Sequence, residues 1–388
     1  MMLRGSPAFR LARPVRLASS AVCESPLVNT KLSMTLVASR PAAPNSRVLT
    51  FALPAGVERL GAPLPSCLKV WGEYSAGTTL GKSYSPVSPP ERRGEVELLV
   101  KAYPPRPAAE RGAEIRGGVD QLSGRGLGAF LTDMTLGDST PMMVKPMRLI
   151  HHAPYQANRW EALALVRAAP GAPGARAGRG ARAAPAAPAA PAAPAAPAAP
   201  AAPAAPAAPA APDALAQIAG GTGIAPLYQM AAAILADPHE RTRLSVLCAH
   251  RSEADILLRA ELDALAAAHP ARLRLRYVLS RPPPPELDAG AGGVGWGGGR
   301  GHVSAEDVSW LAEGAAPAGQ AGAGGEDGGG RGVLVLACGT DEFMEALCGS
   351  TERAAADAAT GERGAKVQGV VRGLLREAGY SSEQVYKF

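Results

Sequence analysis

Residues Ile218 to Pro226 read IAGGTGIAP, an apolar run that stops at consecutive glycines just before a helix-forming stretch, Ala225 to Ala236. Glycines at the end of a strand let a ligand's phosphates approach the main chain. The helix that follows offers free N–H groups and the positive end of its dipole to an anion. The spacing is not the GxGxxG of the common dinucleotide fold, and a lone glycine-rich turn is as often structural as functional. Its surroundings decide the matter. Leu215 to Ala219 reads as the strand that enters the turn, and downstream the apolar segments Arg243 to Ala249 and Leu273 to Leu279 flank a helical stretch, Glu253 to Ala268. Strands that alternate with helices imply a parallel sheet wound on both faces.

Upstream of the turn the rhythm is different. Arg47 to Leu53 (RVLTFAL), Cys67 to Trp71 and Glu95 to Tyr103 (EVELLVKAY) are short runs rich in β-branched and aromatic residues, bounded by Pro or Gly. Such strands with no helices between them predict an antiparallel barrel. The expected architecture is therefore α/β plus all-β: an N-terminal antiparallel β-barrel over 33–160, then a doubly wound parallel sheet over 213–388. Between them lies an Ala-Ala-Pro array with proline at every third position from Pro185 to Pro212. Proline fixes φ and donates no hydrogen bond, so 167–212 reads as a polyproline II or disordered insertion. Trp160 to Val166 (WEALALV) would run directly into Ala219-Gly220-Gly221, which makes everything from Arg167 to Ile218 look inserted. Leu215 to Ile218 (LAQI) is then a competing version of the same strand end. Gly-rich loops are expected at 288–301 and 314–332.

The chain has 388 residues with 45 Gly and 37 Pro, and setting the biased segments aside leaves ordinary sequence for about two domains. Its formal charge of +6 is concentrated in residues 1–40, where Arg4, Arg10, Arg13, Arg16, Lys31 and Arg40 face only Glu24. The remainder is close to neutral, which argues against nucleic-acid or lipid binding by the folded body. The first 22 residues hold four arginines and no acid, the composition of a mitochondrial transit peptide, with a plastid signal or a basic tail as alternatives; a leader over 1–32 is expected. The five cysteines are scattered without CxxC spacing, and the six histidines cluster with neither cysteine nor acid, so no metal site is read. No run of eighteen uncharged apolar residues lies outside the array, which excludes a spanning helix and leaves peripheral membrane association open.

Two further motifs accompany the glycine turn. Lys82 to Ser88 reads KSYSPVS, which on a strand sets Lys82, Tyr84 and Pro86 on one face and Ser83 and Ser85 on the other. Such a strand offers charge to a phosphate, an aromatic plane to a ring system and hydroxyls to a polar edge. Leu334 to Met344 (LVLACGTDEFM) is another apolar strand, ending at Cys338-Gly339. In this order, with Val100-Lys101-Ala102-Tyr103, Gly137-Asp138, Tyr155 to Trp160, Asp255 to Leu258, Gly301-His302-Val303 and the terminal Val385 to Phe388, these pieces resemble the ferredoxin-reductase-like flavoproteins, most closely the NADH-cytochrome b5 reductase branch.

The resemblance implies an FAD-binding barrel followed by an NAD(P) domain, with hydride passed from NADH, or NADPH, to the flavin and electrons handed to a small haem protein such as cytochrome b5. A flavoprotein supporting haem attachment to cytochrome c, or a non-catalytic adapter using the Ala-Pro segment, are the alternatives. By position, Lys82, Tyr84, Ser85 and Pro86 hold flavin ring and phosphate, Val100, Lys101 and Tyr103 complete that site, and Gly126, Leu127 and Gly128 meet the pyrophosphate. Gly220, Gly221, Thr222 and Gly223 face the nicotinamide nucleotide, with Thr222 near the flavin. Cys338, Gly339 and Phe343 close over the nicotinamide, and Thr222 and Cys338 are the catalytic candidates. Four positions depart from the family pattern: Lys82 where Arg is usual, Gly128 where Ser is usual, CGTDE at Cys338 to Glu342 in place of a proline-rich run, and Ser280-Arg281 where NADH-selective relatives carry an acid. Those last residues admit a 2′-phosphate; on branch resemblance the donor expected is NADH.

Overall fold

The computed structural model describes residues 27–62, 64–73, 79–89, 91–107, 123–146, 214–283, 296–315, 333–353 and 366–388. The expected leader apart from residues 27–32, the Ala-Pro array, Tyr155 to Val166 and most of both Gly-rich loops lie outside the described residues.

Six strands form the first sheet: β1 (Leu32–Ala43), β2 (Ser46–Ala52), β3 (Ser66–Glu73), β4 (Thr79–Tyr84), β5 (Glu95–Lys101) and β6 (Ser139–Pro146). Their order is β4-β3-β6-β1-β2-β5, every pairing between them antiparallel. The open edges meet where Pro86, just past β4, bridges Leu98 of β5 and the Val87 amide donates to the Glu97 carbonyl at 2.9 Å. This closure ends the alternation expected for KSYSPVS. Lys82 and Tyr84 are half-buried and Ser83 is exposed, but Ser85 and Pro86 are both buried, because β4 stops at Tyr84 and the chain turns to reach β5.

The apolar runs of β2 and β5 have a physical reason. Leu49, Phe51, Val96, Leu98 and Val100 point into the barrel core, while Val48 and Leu99, register partners, point outward into the core of the second domain. Burying each of these side chains is worth roughly 1.5–3 kcal/mol, so both strands are held from both faces. Helix α1 (Leu127–Asp133) plugs the barrel with Leu127 and Leu131, both fully buried.

The second sheet is parallel throughout, in the order β10-β9-β8-β7-β11-β14, with β12 (Glu352–Arg353) and β13 (Lys366–Val367) forming a separate two-stranded ribbon. Its strands are β7 (Ala214–Gly220), β8 (Arg243–His250), β9 (Leu273–Leu279), β10 (Gly299–Arg300), β11 (Val333–Cys338) and β14 (Val385–Lys387). Leu215 and Ala219 of β7 face α2 (Ile224–Ala236) and α3 (Arg259–Ala268). Ala214, Ala216 and Ile218 face α4 (Ala305–Ala315), α5 (Asp341–Leu347) and α6 (Gly373–Glu377), so the sheet is covered on both sides. Among the polar links between the domains, the Ser66 amide donates to Gln229 Oε1 at 3.1 Å, and Arg40 pairs with Glu261 at 3.0 Å.

Two expectations are overturned here. The strand that enters the glycine turn is Ala214–Gly220, buried at every residue between β8 and β11. Residues 214–218 are therefore core, and a reading that extends the insertion to Ile218 would remove the middle of the sheet. The single helix expected over Glu253 to Ala268 is broken. A capping box of Ser252 and Asp255 closes a 3₁₀ turn at Glu253–Asp255, Leu258 adopts φ +54°, and α3 starts only at Arg259. Ile256, Leu257 and Leu258 are all buried, and three consecutive buried side chains do not fit one face of an exposed helix.

Candidate functional site

The sheet order reverses at β7: β8, β9 and β10 extend to one side, β11 and β14 to the other. Ligands of open α/β sheets bind at the carboxyl ends of the strands at such a switch point. Both nucleotide motifs end there. Ala219 and Cys338 are register partners, so Gly220 to Gly223 and Cys338-Gly339 emerge side by side.

The glycines serve more than one purpose. Gly221 has φ +56° and nothing within 4 Å of a Cβ built on it, so it alone provides both the left-handed turn and open space. A Cβ on Gly220 would meet the Phe343 ring at 2.8 Å, and one on Gly223 would collide with the Cys338 carbonyl. Beyond the room for phosphates that the sequence suggests, Phe343 rests on Gly220 and Gly339, and Gly223 locks β7's turn against β11's. Thr340 caps α5, its Oγ1 accepting from the Phe343 amide at 3.4 Å.

The barrel reaches the same crevice. Tyr103, beyond the end of β5 and 52% exposed, is hydrogen-bonded to the side chain of Thr222. Burial raises the Tyr103 pKa, the Thr222 bond opposes this, and the Glu342 carboxylate adds to it. The Lys101 ammonium lies 5.6 Å from the Tyr103 ring centroid and its charge reaches His250 and Asp255 across the domain boundary. Lys82 and Tyr84 stand half-buried on β4. Tyr103, Thr222, Cys338 and Phe343 thus come together, with Lys101 behind them.

Other candidates contribute only main chain or position. Val100 and Leu127 have fully buried side chains in the barrel core. Gly128 is backed against the Lys101 carbonyl so closely that any Cβ would clash, which explains the absence of serine there: the packing of α1 on β5 leaves no room for a side chain. Ser280 and Arg281 follow β9, their amides donating to the carbonyls of His250 at 3.0 Å and Arg251 at 2.6 Å. Among the described residues no group of His, Cys, Asp and Glu fit to hold a metal ion occurs, and no described helix is long and apolar enough to cross a membrane.

Sequence reasoning missed Arg106, Arg251 and His250. Burial, and then the Lys101 charge, push the His250 imidazole down from 6.5 to about 4. The unfolded chain therefore binds more protons between these values, so stability is full above about pH 6.5 and falls as pH drops towards 4. Between pH 7 and pH 5 this group alone is expected to remove about 2 kcal/mol. Urea midpoints at the two pH values check this: His250→Gln should lose that much less than wild type, and equal losses would contradict it.

The residues suit the two groups that the architecture implies. The half-buried plane of Tyr84 and the cation of Lys82 fit a flavin with its phosphates, and the open Gly221 turn beside Thr222 fits a nicotinamide nucleotide. Comparison with known proteins agrees. Residues 33–127 match the oxidoreductase FAD-binding domain model and residues 217–349 the oxidoreductase NAD-binding domain model. The chain is 34% identical over 176 residues to NADH-cytochrome b5 reductase 2 of Botryotinia fuckeliana, covering 45% of this chain and 41% of that protein. It is 28% identical over 239 residues to NADH-cytochrome b5 reductase 1 of Candida albicans, covering 62% of this chain and 55% of that one. The chain thus spans only about half the length of these relatives. Over 361 residues it is 25% identical to NADH-cytochrome b5 reductase 2 of Yarrowia lipolytica, covering 92% and 85%. The cytochrome b5 reductase domain of Ulva prolifera nitrate reductase shares the fold, with a TM-score of 0.57 at 19% identity, covering 94% of this chain and all of that one. The chain thus carries an oxidoreductase FAD-binding domain followed by an oxidoreductase NAD-binding domain, meeting at one crevice, and in this it is similar to NADH-cytochrome b5 reductases.

Proposed function

We propose that this protein takes hydride from NADH onto FAD and passes the electrons to a haem protein, with cytochrome b5 as the acceptor. The observation that carries the reading is the Tyr103–Thr222 hydrogen bond, which joins the end of the flavin-domain strand β5 to the nucleotide turn after β7. The flavin supplies the conversion of a two-electron donor into single-electron transfers. The chain's own task is orientation. Tyr84 presents a plane on the barrel side, Thr222 sets the depth of the nicotinamide, and Phe343 with Cys338 forms the far wall. The acceptor is tested by reduction of purified cytochrome b5 against ferricyanide as a general oxidant. Ferricyanide reduction without cytochrome b5 reduction would reject the haem partner and keep the reductase.

The donor reading extends to NADPH. Neighbouring strands lie about 4.8 Å apart, so the far end of a dinucleotide seated at β7 passes over the ends of β8 and β9. Arg251 and Arg281 are joined there through their backbones, Arg300 lies on the adjoining β10, and Ser280 stands where an acid would repel a 2′-phosphate. NADPH should support turnover with kcat/KM within about tenfold of NADH, and Arg281→Gln should widen the gap by about tenfold or more, the loss of one charge-assisted phosphate contact. NADPH efficiency below about one hundredth of NADH would contradict the assignment.

The acid-free, arginine-bearing first 22 residues support delivery to the mitochondrion. Import of the full chain into isolated mitochondria with shortening by protease tests this; a chain left outside at full length rejects it.

A further inference from the structure

The two domains meet over an apolar surface, where Val48, Val87 and Leu99 of the barrel share one buried cluster with Ile224, Leu227 and Met230 of α2. Apolar packing is non-directional, so it presses the domains together without fixing how far one slides along the other. A hydrogen bond fixes this, because it sets both distance and angle. Such a bond crosses the boundary from the Ser66 amide to Gln229 Oε1 at 3.1 Å, with Ser66 only 1% and Gln229 only 7% exposed. Each end leads to the crevice. Ser66 lies two residues before Leu68, the β3 residue whose register partner is Tyr84, and it lines one small cleft with Pro86, Ser88 and Gln229. Gln229 lies six residues beyond Gly223, about 9 Å along the helix that continues the glycine turn. The bond therefore joins the strand pair that presents Tyr84 to the helix that carries the turn of Thr222. The Arg40–Glu261 pair differs in kind: its side chains are half-exposed, and water screens it.

Resting on the hydride-transfer reading above, we propose that Gln229 is a positioning residue for that step: by holding α2 to β3 it sets the separation of the nicotinamide from the flavin. Its side chain is buried between the domains, so it acts through the main chain on either side rather than on a ligand. Loss of the bond should slow transfer while both ligands still bind. The competing account is a contact that only adds stability, in which case the rate of each folded, flavin-loaded molecule would not change.

Stopped-flow reduction of the FAD-loaded full-length protein over a range of NADH concentrations separates the limiting rate from NADH affinity. Gln229→Met keeps the length of the side chain without its carbonyl acceptor. It should lower the limiting rate about 10- to 100-fold, since misplacement of reacting groups by about 1 Å costs about 100-fold. FAD content and the NADH dissociation constant should stay within about twofold of wild type, which also reports that the variant is folded. Gln229→Glu keeps an oxygen acceptor for the Ser66 amide and should recover most of the rate. Glu261→Gln breaks only the exposed pair and should be reduced as fast as wild type. The proposal is overturned if Gln229→Met is reduced within twofold of the wild-type rate, if it loses FAD or NADH affinity, if Gln229→Glu is as slow, or if Glu261→Gln reproduces the loss. Wild-type protein whose bound FAD is left oxidised by NADH would instead reject the hydride-transfer reading, and this assignment with it.

Discussion

Gly223→Ala should slow reduction of bound flavin by NADH at least about 100-fold while leaving the flavin in place. The Cβ of alanine at this position meets main chain alone, the carbonyl of Cys338 and the amide of Gly339 at 2.8 Å, and backbone has no rotamer in which to yield. Relief requires the turns after β7 and β11 to separate, and in the proposed function those two turns form the floor and wall of the nicotinamide site. Misplacement of reacting groups by about 1 Å costs about 100-fold in rate, and overpacking of this kind costs about 1–3 kcal/mol of stability. Gly221→Ala is the companion variant. It has open space around it and φ +56°, so it carries only the left-handed penalty of about 1–2 kcal/mol and should retain most of the rate. Stopped-flow bleaching of the flavin absorbance distinguishes them. A Gly223→Ala rate within twofold of wild type would show that the β7–β11 contact does not shape the nicotinamide site.

The second large effect is on the cofactor. Tyr84→Ala removes the half-buried ring that ends β4, and FAD affinity should fall about 10- to 100-fold, the usual worth of an aromatic plane stacked on a heterocycle. Tyr84→Phe keeps the plane and should bind FAD within a few-fold of wild type. Flavin retained through gel filtration, read against protein absorbance, measures both. If the phenylalanine variant loses flavin as fully as the alanine variant, the hydroxyl rather than the ring holds the cofactor.

Much of this arrangement is legible in the chain itself. IAGGTGIAP marks the β7 turn because a strand buried at every residue is mostly apolar, with Gln217 the exception, and its exit at Gly221 takes a positive φ. RVLTFAL and EVELLV read as strands because each is buried on two faces, by its own barrel and by the second domain. What escapes the sequence is set by contacts distant along the chain. The alternation of KSYSPVS fails after Tyr84 because Pro86 must bridge Leu98 to close the barrel. The helix after Ser252 breaks because Ile256, Leu257 and Leu258 are all drawn into the core. Arg106 follows a Pro-Pro step with no periodicity to mark it, and a backbone bond to the Gly124 carbonyl ties it to the turn before α1. Gly128 looks like a lost serine until the Lys101 carbonyl is seen against it.

The most direct test of the central claim, that both domains deliver their ligands to one crevice, is an anaerobic NADH titration of the purified full-length protein followed by visible absorbance. The account predicts a yellow protein carrying about one FAD per chain, bleached by one equivalent of NADH. A colourless protein, or a bound flavin that NADH leaves oxidised, would contradict it.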